Sequence, residues 1–156
     1  ERIPRYLVLS VLAAEDADFY QHEGLDYPGL MRSVLRALVT GRRPRGTSTI
    51  TQQLVKVLLL SPEQTMGRKI RELILARRIE EELEKDEILH LYLSHINYGH
   101  GRYGVQEAAR FYFDVDVEDL TLAQASHFAG LPQSLTHLSP RNHPEAARRT
   151  CCTPPI

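Results

Sequence analysis

The chain has 156 residues, long enough to bury a core as one ordinary domain. Hydrophobic residues make up 42% and charged residues 25%, which excludes intrinsic disorder for most of its length. Nineteen basic against twenty acidic residues give a net charge of −1, which argues against bulk electrostatic binding to nucleic acid.

A first helix is predicted from Tyr6 to about Phe19. It follows Pro4, and Leu7, Val8, Val11 and Leu12 recur at helical spacing. Pro28 stands at the start of a second helix, Gly29–Val39, stopped by Thr40-Gly41. The loop Gly41–Gly46 carries Arg42, Arg43 and Arg45 around Pro44. The hydroxyl run Thr47-Ser48-Thr49 leads into Ile50–Leu60, with Ser48 or Thr49 as the N-cap that accepts an orphan backbone N–H. Ser61-Pro62-Glu63 is a stop and restart.

The longest helix is predicted from about Thr65 to Lys85. Its apolar positions Ile70, Leu73, Ile74, Leu75, Ala76, Ile79 and Leu83 cover more than half the circumference, a pattern expected of a helix buried on several sides. Asp86 is placed as the cap of the next helix, Glu87–Ile96. Asn97–Gly104 is a loop holding Gly99, Gly101 and Gly104; Val105–Phe113 is helical; Asp119 or Thr121 starts a last helix through Ala129. From Pro132 the pattern thins out, and Thr150–Ile156 reads as a tail without structure. With no internal repeat and no convincing strand, the fold class is mainly α. The two cysteines, Cys151 and Cys152, stand side by side in that tail and supply neither a disulfide framework nor a four-ligand zinc site. No apolar run approaches the about 20 residues of a membrane span, and no signal peptide is visible. The chain begins at Glu1 and reads as a domain cut from a longer protein, with any N-terminal anchor missing.

Four constellations carry chemistry. Glu15-Asp16-x-x-Phe19-x-x-His22-x-Gly24 places Glu15, Phe19 and His22 within about 60° on one helix face. A carboxylate at the end of an apolar stretch has its pKa pushed upward, which suits proton transfer; the plainer alternative is a surface acidic pair beside a core aromatic. Gly46-Thr-Ser-Thr-Ile-Thr-Gln-Gln53, followed by Lys56, joins hydroxyls to a helix N-terminus and makes either an anion site or an ordinary capped helix. Arg68-Lys69-x-x-Glu72 puts two cations and a carboxylate within about 100° of arc, suited to a phosphate or to an ion-pair lattice. The block from Tyr92 to Phe113 sets small residues beside aromatics, a packing pattern. The seven histidines show no metal-ligand spacing.

In their order and spacing these segments resemble the peptidoglycan glycosyltransferase domain, glycosyltransferase family 51, of class A penicillin-binding proteins and monofunctional transglycosylases. The family patterns E-D-x-x-F-x-x-H-x-G, G-x-S-T-I-T-Q-Q-x-x-K, R-K-x-x-E and Y-L-N-x-I-x-x-G-x-x-x-Y-G-V-x-x-A-A-x-x-Y-F all stand here in order, over about Ile3 to Ala147. Three positions depart from the family: Val57 for Asn, Ser94 for the Asn of Y-L-N, and Gln124 for Glu.

The resemblance implies a lysozyme-like helical domain with a small membrane-facing lobe, occupying residues 1–149 ahead of the tail 150–156. It implies polymerisation of lipid II into β-1,4-linked glycan at the outer face of the bacterial plasma membrane, by an inverting displacement that releases polyprenyl pyrophosphate. By position, Glu15 is then the general base and Glu72 the second acidic residue. Arg68 and Lys69 match the phosphate-binding positions. Ser48, Thr49, Gln53 and Lys56 match the donor-cleft strip, with Asp16, His22 and Gln52 also counted as substrate-binding. No cofactor is required; a divalent cation, magnesium or manganese, is admitted, with Glu72 as its one candidate ligand. The implied partners are lipid II, the growing glycan, the lipid interface and a linked or separate transpeptidase domain, with no nucleic acid. The segment Leu25–Arg45, with Leu30, Met31, Leu35 and Leu38 among arginines, either dips into the membrane or faces the core. Two other readings remain at this level: a lysozyme-like glycan-cleaving enzyme, which by an inverting route needs a second carboxylate, and a catalytically impaired binding domain of the same fold.

Overall fold

The computed structural model describes residues 3–41, 48–59 and 65–132. The basic loop with Arg42, Arg43 and Arg45, the stop at Ser61–Glu63, Leu60, and the tail with Cys151 and Cys152 lie outside the described residues. Seven α-helices stand among the described residues: α1 Arg5–Glu15, α2 Tyr27–Thr40, α3 Ile50–Leu58, α4 Met66–Glu82, α5 Lys85–His95, α6 Val105–Phe113 and α7 Leu122–Gly130. The only strand-like pairing among them is an isolated bridge between Asn97 and Tyr103. The mainly α expectation therefore holds. The chain divides into two compact units, one formed by residues up to Ala17 together with Leu93 onward, the other by Asp18–Tyr92.

In the first unit α1 packs on α7. Leu7 and Val11, one turn apart, are fully buried, and each contributes about 1.5–3 kcal/mol by leaving water. The Tyr6 hydroxyl donates to the Leu120 carbonyl. Thr121 caps α7 in a capping box: its hydroxyl accepts from the Gln124 N–H at 3.3 Å, and the Gln124 side chain accepts from the Thr121 N–H at 2.7 Å. Gln124, a departure from the family pattern, thus fills the reciprocal capping role that Glu or Gln can both serve. Asp119, the alternative start, instead closes a short 3₁₀ turn, Val117–Asp119.

The 97–104 loop is a tight connection between α5 and α6. Gly104 has φ +80°, and a Cβ there would fall 2.3 Å from the Ser94 carbonyl oxygen. Only glycine lets the two backbones approach this closely. The Tyr98 ring is buried edge-on against Phe128, 5.3 Å between centroids, while its carbonyl accepts from the Tyr112 hydroxyl at 2.8 Å.

In the second unit α3 packs on α4. Thr49 is the N-cap of α3 and Thr65 that of α4, each hydroxyl accepting an N–H three residues on. Asp26 caps α2 with Pro28 in its first turn, and Gly41 ends it in the left-handed conformation.

Three expectations are corrected, and one of two open alternatives is removed. The first helix ends at Glu15, not near Phe19: Asp16 turns to φ −162°, ψ 78°, and the chain continues as turns. An aspartate competes for backbone hydrogen bonds and leaves the helix readily. Glu15 consequently shares no helical face with Phe19 and His22. The long helix α4 is not buried on several sides, since it buries only Glu72 and Ala76, and Ile70 is 56% exposed. One packed face, that against α3, covers a narrow stripe. Asp86 lies inside α5, not at its cap; Glu87 accepts the Glu84 N–H at 3.0 Å, and Asp86 accepts the Tyr20 hydroxyl at 2.8 Å. Finally, α2 has no buried residue, so Leu30, Met31, Leu35 and Leu38 do not face a core.

Candidate functional site

The second unit gathers four of the residues singled out in the sequence. The Lys69 ammonium donates to Ser48 Oγ and to Gln52 Oε1, each at 3.4 Å, and pairs with the Glu72 carboxylate one turn along α4. The Glu72 side chain is 3% exposed and that of Lys69 41%. A buried carboxylate thus anchors a cation whose outer side stays open to solvent beside the N-terminus of α3. A fixed ammonium beside the positive end of a helix dipole favours an anion.

Local chemistry sets this arrangement. The Thr49 hydroxyl does double duty, accepting from the Gln52 N–H at 3.2 Å and donating to the Gly24 carbonyl at 2.7 Å. Gln52 Nε2 reaches the same carbonyl at 3.5 Å, which leaves its Oε1 for Lys69. Gly24 has φ +83°, and a Cβ there would meet the Ala76 carbonyl oxygen at 3.1 Å. The H-x-G pattern is therefore the turn that brings a backbone acceptor onto α3. Gln53 faces elsewhere, donating to the Ser48 carbonyl at 3.5 Å and accepting from the Tyr92 hydroxyl at 3.2 Å. Lys56 is exposed in the last turn of α3. Arg68 is half-buried, and its Nε finds no hydrogen-bond partner among the described residues. His22 stands edge-on to Phe19, with centroids 6.2 Å apart.

Glu15 and Asp16 belong to the first unit. Glu15 is half-buried at the C-terminal end of α1, and Asp16 is buried. The phenol of Tyr98 is held well above its ordinary pKa, first by burial and then by the Glu15 charge. Neither Tyr98 nor the Gly24 carbonyl is among the candidate residues that the sequence offers. The glycine of H-x-G was the available signal for the second; nothing local marks the first.

The residues do not fit a divalent cation. Glu72 already faces an ammonium, and among the described residues no three His, Cys, Asp or Glu side chains form a metal-binding group.

The sequence profile of the transglycosylase family matches residues 1–153. Penicillin-binding protein 1A of Neisseria lactamica is 47% identical over 145 residues, 93% of this chain and 18% of that protein. Penicillin-binding protein 1A of Escherichia coli K12 is 46% identical over 140 residues, 90% of this chain and 16% of that protein. Penicillin-binding protein 1F of Bacillus subtilis 168 is 38% identical over 143 residues, 92% of this chain and 20% of that protein. The chain thus spans a fifth or less of the length of these relatives. Because the profile match runs through both units and is not confined to the motifs, the chain belongs to the transglycosylase family.

Proposed function

We propose that this chain, as a glycosyltransferase domain over residues 1–149 with a tail at 150–156, polymerises lipid II into β-1,4-linked glycan. The acceptor's sugar 4-hydroxyl attacks the anomeric carbon of the growing chain. The new C–O bond forms as the bond to the pyrophosphate oxygen breaks, the hydroxyl proton passes to Glu15, and polyprenyl pyrophosphate leaves. One displacement inverts the α donor linkage to β, and no covalent enzyme intermediate is needed.

The observation that carries this reading is the half-open Lys69 ammonium, fixed by buried Glu72 and flanked by Ser48 and Gln52. A leaving pyrophosphate gathers negative charge, and a preorganised cation stabilises it without reorganising. A glycan hydrolase has no such charge to meet. Arg68, Lys69 and Lys56 serve the pyrophosphate; Ser48, Thr49, Gln52, Gln53, Asp16 and His22 shape the substrate site; Glu72 acts through Lys69.

The domain works at the outer face of the bacterial plasma membrane, on lipid II and the growing glycan, with a linked or separate transpeptidase domain using its product. No helix among the described residues is long and apolar enough to cross a membrane. The lipid contact in this reading is α2, where Leu30, Met31, Leu35 and Leu38 are exposed alongside Arg32 and Arg36.

The test is polymerisation of labelled lipid II in detergent by wild type and Glu15→Gln. A glycan ladder from wild type alone supports the reaction and the base together. A ladder from both removes Glu15 from the role, and no ladder from wild type overturns the reading.

A further inference from the structure

The strongest polar cluster outside the residues already assigned centres on Glu80, just over two turns beyond Glu72 on α4. Its side chain is 5% exposed. One carboxylate oxygen accepts the hydroxyl of Thr51, which is fully buried in the first turn of α3. The other oxygen pairs with the Lys85 ammonium at 2.7 Å. That ammonium lies 4.3 Å from the centroid of the buried Phe19 ring. A Cβ on Gly24 would sit 3.2 Å from the Glu80 Cγ. One buried carboxylate therefore bonds the first turn of α3 and the start of α5, and through Lys85 it is linked to Phe19 at the head of the turn that ends in Gly24.

Burying such an ion pair brings little net stability, because the desolvation of both charges offsets their attraction. Its effect is on position. The Thr51 bond fixes the rotation of α3 about its axis, and Glu80 fills the space beside Gly24, whose carbonyl accepts from Thr49 and Gln52. Gln52 and Ser48 are the groups set against Lys69.

We propose that Glu80 is a positioning residue, which through Thr51 and the Gly24 turn holds Ser48 and Gln52 in register with Lys69 for an anionic phosphate group. This rests on the reading of the Lys69 cluster as the anion site.

Inorganic pyrophosphate is the probe, titrated into the whole chain and followed through the backbone amide resonances of Ser48 and Gln52. The proteins are wild type, Lys69→Met, Glu80→Gln, Thr51→Val and Thr51→Ser, each with its melting temperature measured. Thr51→Val is nearly isosteric and removes one hydrogen bond, so it keeps the test alive should Glu80→Gln fail to fold. The expected result is an affinity loss of roughly five- to tenfold in Thr51→Val and Glu80→Gln, with recovery in Thr51→Ser. Unchanged pyrophosphate affinity in both, with only the melting temperature lowered, makes Glu80 purely structural and overturns the proposal. Failure of wild type to bind, or binding unaffected by Lys69→Met, overturns the anion-site reading itself and the proposal with it.

Discussion

Lys69 closes over the Glu72 carboxylate from one turn away on α4, leaving the acid 3% exposed and the ammonium 41% exposed. The two ends of this pair are unequal. Removing the cation strands a buried charge, whereas neutralising the acid leaves a cation that water can still reach. Lys69→Met should lower stability by about 1–3 kcal/mol, at the lower end because the ammonium is partly solvated. Lys69→Met with Glu72→Gln should regain most of that loss and none of the lipid II polymerisation. Urea unfolding and the polymerisation assay, run on both, separate the two effects. Equal stability of the single and double variants would show that the stranded charge is not the cause.

Thr49 carries two hydrogen bonds from one hydroxyl, the cap of α3 and the tie to Gly24. Thr49→Ala should cost about 1–2 kcal/mol of stability, and Thr49→Ser should stay close to wild type. Chemical denaturation decides this. A loss in Thr49→Ser as large as in Thr49→Ala would point to packing of the methyl group rather than to the hydroxyl.

The Tyr98 hydroxyl finds no hydrogen-bond partner among the described residues, and its pKa is raised by burial and by the Glu15 charge. The sign of the pH effect follows. The folded state holds the phenol proton more tightly than the unfolded chain, so the contribution is complete below about pH 10 and is lost as pH rises beyond it. The loss runs at up to about 1.4 kcal/mol per pH unit. Tyr98→Phe should remove that slope, and at neutral pH its stability should match or slightly exceed that of wild type. Denaturant midpoints measured between pH 7 and pH 11 test it, and an unchanged alkaline slope would mean another group is responsible.

On α2, Leu35 is 55% and Leu38 76% exposed, and no residue of the helix is buried. Leu35→Glu with Leu38→Glu should change unfolding free energy by less than about 0.5 kcal/mol per site, as surface substitutions do. Cosedimentation with vesicles containing anionic lipid should fall by roughly tenfold, because apolar area leaves the interface and negative charge is added to it. A large stability loss with vesicle binding intact would place these leucines against protein instead.

Sequence alone determined the features that local chemistry controls. Val105–Phe113 is helical end to end as read, and Thr49 and Thr121, each one of two candidates in the sequence, cap the helices that follow them. A cap requires only a hydroxyl within reach of an N–H three residues on, and a glycine stop only a left-handed backbone at Gly41. The family, too, was legible, because its motifs are local strings in a fixed order. Tertiary structure decided what lies against each face. Periodicity counted the apolar positions of α4 but not what covers them, so Ile70 and Ile74 are exposed where burial was expected. It extended α1 past Glu15, because the departure of Asp16 from helical geometry is not written in hydrophobic spacing. Glu80 and Thr51, separated by 29 residues, meet only because α3 packs on α4. Tyr98 is buried and feels the Glu15 charge, 83 positions away in the chain, only because folding brings the two residues together. Hydrogen bonds and charges between distant residues depend on packing and local dielectric, and those quantities come into being only when the chain folds.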